Sequence, residues 1–407
     1  MTEPQIQPVR RFDLDPECSI ADRVEIVDDA VMVPAVKPRS WVVEAGIFRS
    51  DLTPVELAQG WHYTRNAATE FPPVPGGPFE TLPGQYFYAG HYIGQFGHFL
   101  LETMARFWHL ARFPAAYDGM ALLIQPNADR DAVTARLKAF LDLCDLPMPP
   151  LVMPREPVRL ERLTIPMQGA GGLELMYGAP EYREMFQSRF AKKIAPAGAK
   201  RIYISRTGFD SRHGSLVEEA RLEALLSEAG YLPFHPQDHS LEDQIAQFKA
   251  AEVIAGVDGS AFHLAALVTN PSQRIVMFQR RPAPEVFIQA EQLRRFGAGE
   301  VTVISAEPGG WSPAGVRRSA LSVFGVLDFE AAGKRLHEMG LIADPGAWRN
   351  SPHLAFRDRL KEIGAELGAD MYEVVRPNQS LSGKKRRQRR RHVSLFSLAR
   401  QRRGQKD

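Results

Sequence analysis

The 407-residue sequence is poor in cysteine and has no long apolar run. Its two cysteines, Cys18 and Cys144, are far apart and in no CxxC or metal-binding spacing, so the sequence supports neither a disulfide framework nor a cysteine-based zinc site. No stretch approaches the roughly 18 consecutive apolar residues of a membrane-spanning helix. Residues 1–4 show neither the basic flank nor the apolar segment of a secretory signal. We therefore expect a cytoplasmic protein.

The net charge of +2 combines two regions of opposite sign. Residues 383–407 carry 11 Lys and Arg and one Asp, whereas residues 1–382 carry 39 Lys and Arg and 47 Asp and Glu. Three interpretations of the basic tail stay open: a disordered end, an arm that binds nucleic acid, and an anchor at an anionic membrane surface into which Leu395, Phe396 and Leu398 insert. The acidic body lacks interleaved aromatic and basic residues, which argues against nucleic acid as its partner.

Short apolar runs alternate with amphipathic stretches and predict an α/β protein that is too long for one core. A segment of small residues at 196–199 separates two halves, and alternation of strands and helices is typical of parallel sheets. We predict an α/β domain at residues 1–196, a Rossmann-like domain at 197–310, a helical extension at 311–378 and a basic, disordered tail at 379–407.

The N-terminal half contains a predicted helix from about residue 96 that is apolar on nearly every side. One polar stripe interrupts it, because His98, Glu102 and Arg106 are spaced four residues apart and His109 falls in the same sector. Titratable groups on a buried helix must be satisfied by one another or by a ligand. Alone, the stripe fits an internal network that fixes the helix as well as it fits a functional site.

Residues 253–263 predict a strand, a tight turn and the start of a helix. Gly259 permits close approach of the backbone to a ligand, and Ser260 is placed to cap the helix, whose N-terminus favours a phosphate or diphosphate. The pattern also fits a capped turn without a ligand. Asp258 and His263 favour the ligand, because both are expected at the carboxyl edge of the sheet, where doubly wound folds bind ligands.

A second anion-compatible turn follows the predicted strand at residues 201–205. Arg206 stands at the end of this strand, and Arg212 follows a few residues later. A guanidinium at the sheet edge could bind a diphosphate or a carboxylate in bidentate fashion, although a solvated loop arginine would give the same pattern. Two such turns in one domain favour the ligand.

Taken in their order along the chain, these motifs resemble those of glycosyltransferase family 61, the capsular-polysaccharide type of bacteria. The resemblance rests on the stripe at residues 98–106, on residues 201–206 and on residues 244–260, and it covers roughly residues 86–278. It implies a GT-B-like architecture of two Rossmann-like domains facing a cleft, with no obligatory metal or other cofactor. It also implies inverting transfer of a sugar from a nucleotide-activated donor to a cell-surface glycan or its lipid-linked precursor.

Inverting transfer needs a base for the acceptor hydroxyl and an anion site for the leaving diphosphate. The base would be His98 or Asp258, with Glu102 holding His98 in the right tautomer and Arg106 compensating the charge of Glu102. The residues assigned to the nucleotide are Arg206, Gly259, Ser260, His263, Arg212 and Arg106.

One departure concerns residues 258–260, which read Asp-Gly-Ser where the family commonly has His-Gly-Ala. It leaves open the donor sugar and the group that acts at this turn. Two alternatives to a transferase also stay open. The chain could be a nucleic-acid-binding protein that uses its basic arm, or a binder of sugar nucleotides without catalytic activity.

Overall fold

The computed structural model describes residues 17–38, 42–62, 66–172, 175–209, 214–281, 284–306, 309–315, 323–374 and 392–393. These residues group into two compact units. Unit 1 comprises the described residues up to Ala195 together with Ser260–Thr269 and Glu291–Phe296, and unit 2 comprises Pro196–Gly259, Asn270–Ala290 and the described residues from Gly297 onward. Arg212 and the basic tail, apart from residues 392–393, lie outside the described residues, so the predictions made for them stay predictions.

Strands and helices alternate along the chain, and the predicted α/β class is confirmed. The strands are β1 (Val24–Val33), β2 (Val43–Glu44), β3 (Gly46–Phe48), β4 (Trp61–His62), β5 (Asn66–Ala67), β6 (Thr69–Glu70), β7 (Glu80–His91), β8 (Gly119–Leu123), β9 (Leu151–Val152), β10 (Val158–Pro166), β11 (Arg201–Ile204), β12 (Leu232–Phe234), β13 (Val253–Val257), β14 (Arg274–Phe278), β15 (Glu300–Ile304), β16 (Gly310–Pro313), β17 (Met371–Val374) and β18 (His392–Val393).

The α-helices are α1 (Phe96–His98), α2 (Phe107–Arg112), α3 (Arg130–Leu143), α4 (Pro180–Arg189), α5 (Glu219–Glu228), α6 (Leu241–Ala250), α7 (Ala261–Val268), α8 (Glu285–Arg295), α9 (Phe329–Glu338) and α10 (His353–Leu367). In the part of the chain that the structure describes, none of the helices combines the length and apolar character needed to cross a membrane.

Unit 1 is built on a six-stranded sheet with the order β3-β1-β10-β7-β8-β9. The last four strands run parallel, but β1 runs antiparallel to both β3 and β10. The purely parallel sheet predicted for this half is therefore wrong at β1. The described residues between β1 and β3 contain β2 and no helix, whereas the connection between parallel neighbours is usually helical.

Unit 2 contains a five-stranded parallel sheet with the order β12-β11-β13-β14-β15. The alternation predicted for residues 201–278 is confirmed. Because β11 has β12 on one side and β13 on the other, the strand order reverses between β11 and β13. Ligands of doubly wound sheets bind at the carboxyl ends of strands that flank such a switch point. Residues 205–206 and 258–259, which follow β11 and β13, lie at this position.

The segment predicted to be one regular helix from residue 96 is irregular. It begins as α1, continues as a π-helical turn over Phe99–Thr103 and a 3-10 turn over Met104–Arg106, and ends as α2. A π turn is wider and a 3-10 turn is tighter than an α turn, so residues four apart no longer keep one angular sector. The prediction that His98, Glu102, Arg106 and His109 share one stripe is therefore wrong beyond Glu102.

Candidate functional site

Glu102 lies in the π turn of unit 1 with two imidazoles against one of its oxygens. Its Oε1 lies 3.1 Å from Nδ1 of His98 and 2.7 Å from Nδ1 of His62. Burial acts to raise the pKa of Glu102, but the hydrogen bonds from His62 and His98 outweigh it and hold that pKa below its usual value. The predicted neighbours His98 and Glu102 are thus brought together, and His62 joins them from β4.

The position of Glu102 depends on Gly171. Gly171 has a φ of +75°, and a Cβ at this residue would lie 2.6 Å from Cγ of Glu102 and 2.8 Å from the carbonyl oxygen of Leu101. An L side chain is disfavoured by both the backbone conformation and the lack of space. The loop after β10 can therefore pack directly against the π turn that carries Glu102 and hold that turn in place.

A further histidine, His91, lies at the end of β7 and is 2% exposed. Burial lowers its pKa to about 4, and Glu102 opposes that shift. Its Nε2 is buried with no hydrogen-bond partner among the described residues. His91 is therefore neutral near pH 7, and it adds an imidazole but no charge to the surroundings of Glu102.

Arg106 has a different role from the predicted one. Its guanidinium donates to the carbonyl oxygens of Pro166, of Leu57 at 3.0 Å and of Gln59 at 3.1 Å. Burial lowers its pKa to about 10, and the side chain is 2% exposed. Arg106 therefore joins its own turn to residues 57–59 and to Pro166, which corrects its predicted role as the charge partner of Glu102; its role as a nucleotide ligand stays a prediction.

His109 is likewise separated from the Glu102 group. It packs against the rings of Trp108, Phe113 and Tyr117, with centroid distances of 5.3, 4.9 and 6.3 Å. Burial lowers its pKa to about 4. Its surroundings are those of a neutral core histidine.

In unit 2, Arg206 lies at the carboxyl end of β11, as predicted. Its backbone N–H donates to Oε1 of Glu219 at 2.7 Å, and its guanidinium carbon lies 5.0 Å from the ring centre of Phe209. Its Nε is buried and has no hydrogen-bond partner in the described part of the chain. Nη1 lies 3.1 Å from the point that a Cβ at Gly259 would occupy, so the guanidinium reaches the second predicted turn.

Asp258 is a poor candidate for the base. Its carboxylate accepts hydrogen bonds from Arg280, at 2.7 Å from the backbone N–H and at 3.1 Å from Nε. It is 1% exposed, whereas a general base must reach the hydroxyl from which it takes a proton. The structure therefore shows Asp258 in an internal ion pair with Arg280; its catalytic role stays a prediction, and this geometry favours His98 as the base.

The turn at Gly259 and Ser260 differs from the predicted anion cradle. The N–H of Gly259 donates to Oε1 of Gln289 at 3.1 Å, and Ser260 makes no capping hydrogen bond to α7 among the described residues. The reason is the helical conformation of Ser260, with φ −61° and ψ −21°, since a capping residue is normally extended. The predicted capped turn is therefore wrong, although Gly259 is needed for the approach of Arg206.

His263 lies on α7 and groups with unit 1. Its Nδ1 donates to Oε1 of Gln292 at 2.6 Å, and its Cδ2 lies 3.1 Å from the point that a Cβ at Gly97 would occupy. Burial lowers its pKa to about 4, so it is neutral near pH 7. This packing does not suit the predicted contact with a diphosphate, for which a cation is the better ligand.

The surroundings of Arg206 are rich in positive charge. Burial lowers the pKa of Arg206 to about 10; Arg280 and Arg281 lower it further, and Glu219 and Asp258 oppose the shift. Burial also raises the pKa of Glu219, which favours the neutral, protonated form of this carboxyl group. Arg280 and Arg281 are 8% and 7% exposed. Three guanidinium groups thus act on one another at this sheet edge, and the Nε of Arg206 has no hydrogen-bond partner in the described part of the chain, so this position suits an anion.

The family model described as Glycosyltransferase 61 matches residues 96–276. Residues 96–276 belong to this family. The resemblance drawn from the motifs is thereby confirmed over this region. Among curated proteins, none matches this chain.

The glycosyltransferase 61 region contains His98, Glu102 and Arg206, but His62 precedes it and Arg280 and Arg281 follow it. These three residues were missed by the sequence analysis. His62 is 40 residues from Glu102 and stands in a two-residue strand with no recognisable pattern. The pair Arg280–Arg281 stands two residues beyond the end of β14, and basic residues at the carboxyl end of a predicted parallel strand are the signal that could have identified them.

Among the described residues, one group of side chains is arranged so that it could hold a metal ion. His62, His98 and Glu102 each offer one ligand atom, and these atoms all lie within 4.8 Å of one another. Two imidazole nitrogens and a carboxylate oxygen are ligands typical of zinc and related ions.

Proposed function

We propose that this chain is an inverting glycosyltransferase of the GT-B type, which moves a sugar from a nucleotide-activated donor to a growing cell-surface glycan or its precursor. The observation that carries the proposal is the guanidinium of Arg206 at the switch point of the parallel sheet, whose buried Nε has no hydrogen-bond partner among the described residues. The diphosphate of a sugar nucleotide is an anion of the right chemistry for this position. Membership of the glycosyltransferase 61 family supports the transfer reaction.

Unit 2 would hold the donor. Arg206 and Arg281 would bind the diphosphate, while Arg280 stays paired with Asp258. When the bond between the anomeric carbon and the diphosphate oxygen breaks, the leaving group gains negative charge. Guanidinium groups that are already fixed in a buried site stabilise that charge without further reorganisation.

Unit 1 would supply the base. In the tautomer that donates Nδ1–H to Oε1 of Glu102, the Nε2 of His98 is the nitrogen that can accept a proton. The proton of the acceptor hydroxyl passes to Nε2 as its oxygen attacks the anomeric carbon, and the diphosphate departs from the opposite face. The carboxylate of Glu102 stabilises the imidazolium that forms.

The basic tail would bind the enzyme to an anionic membrane surface. Residues 383–407 carry the charge needed to bind an anionic membrane surface, where lipid-linked acceptors are found, and each basic residue near such a surface contributes about 1 kcal/mol. Co-sedimentation with anionic liposomes should be lost when residues 383–407 are removed. Equal sedimentation of both proteins would contradict the anchor.

The test of donor binding is a thermal-shift screen of the full chain against UDP-, GDP- and dTDP-activated sugars. A donor present at 100 times its Kd should stabilise the fold by about 2.7 kcal/mol. Arg206→Ala should abolish the shift, and Arg335→Ala is the matched control because that side chain is 55% exposed. No shift with any sugar nucleotide, or an equal shift with Arg206→Ala, would contradict the proposal.

The proposed inversion at the anomeric carbon needs a separate measurement. With the donor identified, NMR of the first-formed product should show the anomeric configuration opposite to that of the donor. Retention of configuration would contradict the single-displacement mechanism while leaving donor binding intact.

A further inference from the structure

His62, His98 and Glu102 form a compact set of side chains in unit 1. The two imidazoles meet the carboxylate through the same type of atom, Nδ1, and the ring centroids lie 4.6 Å apart with an interplanar angle of 62°. Both histidines are 19% exposed at the side chain, so small solutes can approach them, whereas the side chain of Glu102 is 2% exposed. The set is thus closed on the carboxylate side and accessible on the imidazole side.

The spacing of the donor atoms suits a small tetrahedral ion. Zinc bonds to nitrogen and oxygen of about 2.0–2.1 Å place neighbouring ligand atoms roughly 3.3 Å apart. The Nδ1 atoms of His62 and His98 lie 2.7 and 3.1 Å from Oε1 of Glu102. Outward shifts of a few tenths of an ångström would therefore admit an ion between the three groups.

The second carboxylate oxygen gives an independent indication. Oε2 of Glu102 is buried and has no hydrogen-bond partner among the described residues. A buried carboxylate oxygen without a partner is costly, and coordination of a cation is one of the few ways to offset that cost. Gly171 prevents the turn from relaxing away, because it packs directly against Cγ of Glu102.

We propose that His62, His98 and Glu102 bind one divalent transition-metal ion of the zinc type, and that the bound ion blocks proton transfer by His98. In the metal-free form, the proton of neutral His98 is on Nδ1 and the lone pair is on Nε2. Coordination uses the Nδ1 lone pair, so the proton must move to Nε2. His98 then has no site for the proton of the acceptor. The second part of this proposal rests on the proposed function, but the first part does not.

Zinc binding to the metal-stripped full chain, prepared without a histidine tag, tests the ion site directly. Isothermal titration with Zn²⁺ should give one ion per chain, and Co²⁺ should give the d–d absorption of a tetrahedral site. His62→Asn and Glu102→Gln should each weaken Zn²⁺ binding by about 100-fold or more, since even the loss of an outer-shell partner costs 10- to 100-fold. His353→Asn, at an exposed histidine, is the matched control.

The expected results separate this proposal from the proposed function. Stoichiometric binding that is lost in His62→Asn, with far-UV circular dichroism unchanged, supports the ion site whether or not the chain binds sugar nucleotides. Absence of binding, or equal binding by wild type, His62→Asn and Glu102→Gln, overturns it. Saturating Zn²⁺ should also reduce transfer by wild type at least tenfold, and normal transfer with the site filled overturns the second part.

Discussion

Nη1 of Arg206 lies 3.1 Å from the point that a Cβ at Gly259 would occupy. The guanidinium from the end of β11 thus reaches the turn after β13, and this contact brings the two predicted motifs of unit 2 together. The distance is tight but ends on a flexible side chain, so a methyl group at Gly259 should displace Arg206 without unfolding the turn.

Gly259→Ala is expected to weaken nucleoside diphosphate binding by about 3- to 10-fold, which corresponds to roughly 1 kcal/mol. Calorimetry with the nucleotide identified in the donor screen measures this change in affinity. Gly76→Ala is the matched control, because a Cβ at Gly76 would have no heavy atom within 4 Å. Unchanged affinity in Gly259→Ala would mean that Arg206 does not bind the diphosphate in this position.

His98→Asn is expected to lower kcat by about 10²- to 10⁴-fold, the usual contribution of a general base. Nucleoside diphosphate affinity should not change, since the proton acceptor and the diphosphate ligands are separate groups. Release of nucleoside diphosphate in the presence of acceptor measures turnover, with His353→Asn as the control. Full activity of His98→Asn together with loss of activity in a folded Asp258→Asn protein would reverse the assignment of the base.

Arg106→Lys is expected to lower the free energy of unfolding by about 2–4 kcal/mol. A compact lysine ammonium cannot span the three carbonyl oxygens that the planar guanidinium of Arg106 reaches, so buried acceptors would lose their partners. Urea denaturation measures the change, and Arg112→Lys, at an exposed arginine, should stay within about 0.5 kcal/mol of wild type. A stable Arg106→Lys protein with weak nucleotide binding would support the ligand role.

His109→Phe is expected to make the fold less sensitive to acid. Burial lowers the pKa of His109 from 6.5 to about 4, so between these values the unfolded chain binds a proton that the folded chain excludes. The free energy of unfolding therefore falls as the pH is lowered from 6.5 to 4. Removing this imidazole should reduce the loss between pH 7.5 and 4.5 by about 1–2 kcal/mol, and it should leave the comparable losses from His91 and His263.

Urea titrations at the two pH values give this difference directly. His353→Gln, at an exposed histidine, should show the acid sensitivity of wild type. An unchanged pH dependence in His109→Phe would mean that the imidazole of His109 can take up a proton in the folded state.

The alternation in unit 2 was predictable because each element carries a local pattern. The short apolar runs of β11, β13 and β14 stand between amphipathic helices, and Ser240 caps α6 by accepting from the N–H of Asp243 at 3.1 Å. Local propensity and tertiary packing agree in this half. The position of Arg206 at the sheet edge followed from the same reasoning.

The details of unit 1 depend on contacts that no local pattern reports. Counting by fours along residues 98–109 presumes a regular α-helix, but the π turn at Phe99–Thr103 and the 3-10 turn after it send Arg106 and His109 elsewhere. Hydrogen bonds from distant segments hold these turns, including the bond from the hydroxyl of Tyr182 to the carbonyl oxygen of Leu100 at 2.7 Å. The same limit explains why His62 was missed.

The pairing of β1 with β10 has a consequence for folding of the nascent chain. Val24 pairs with Pro166 and Met32 with Val158, so at least 126 residues (158 − 32) must follow each of these β1 residues before its β10 partner is in place. Until then the apolar strand can be covered on one edge only, by the short β3. Such non-local closure slows folding and leaves strand edges open to other chains. Fragments that end before β10 should therefore aggregate.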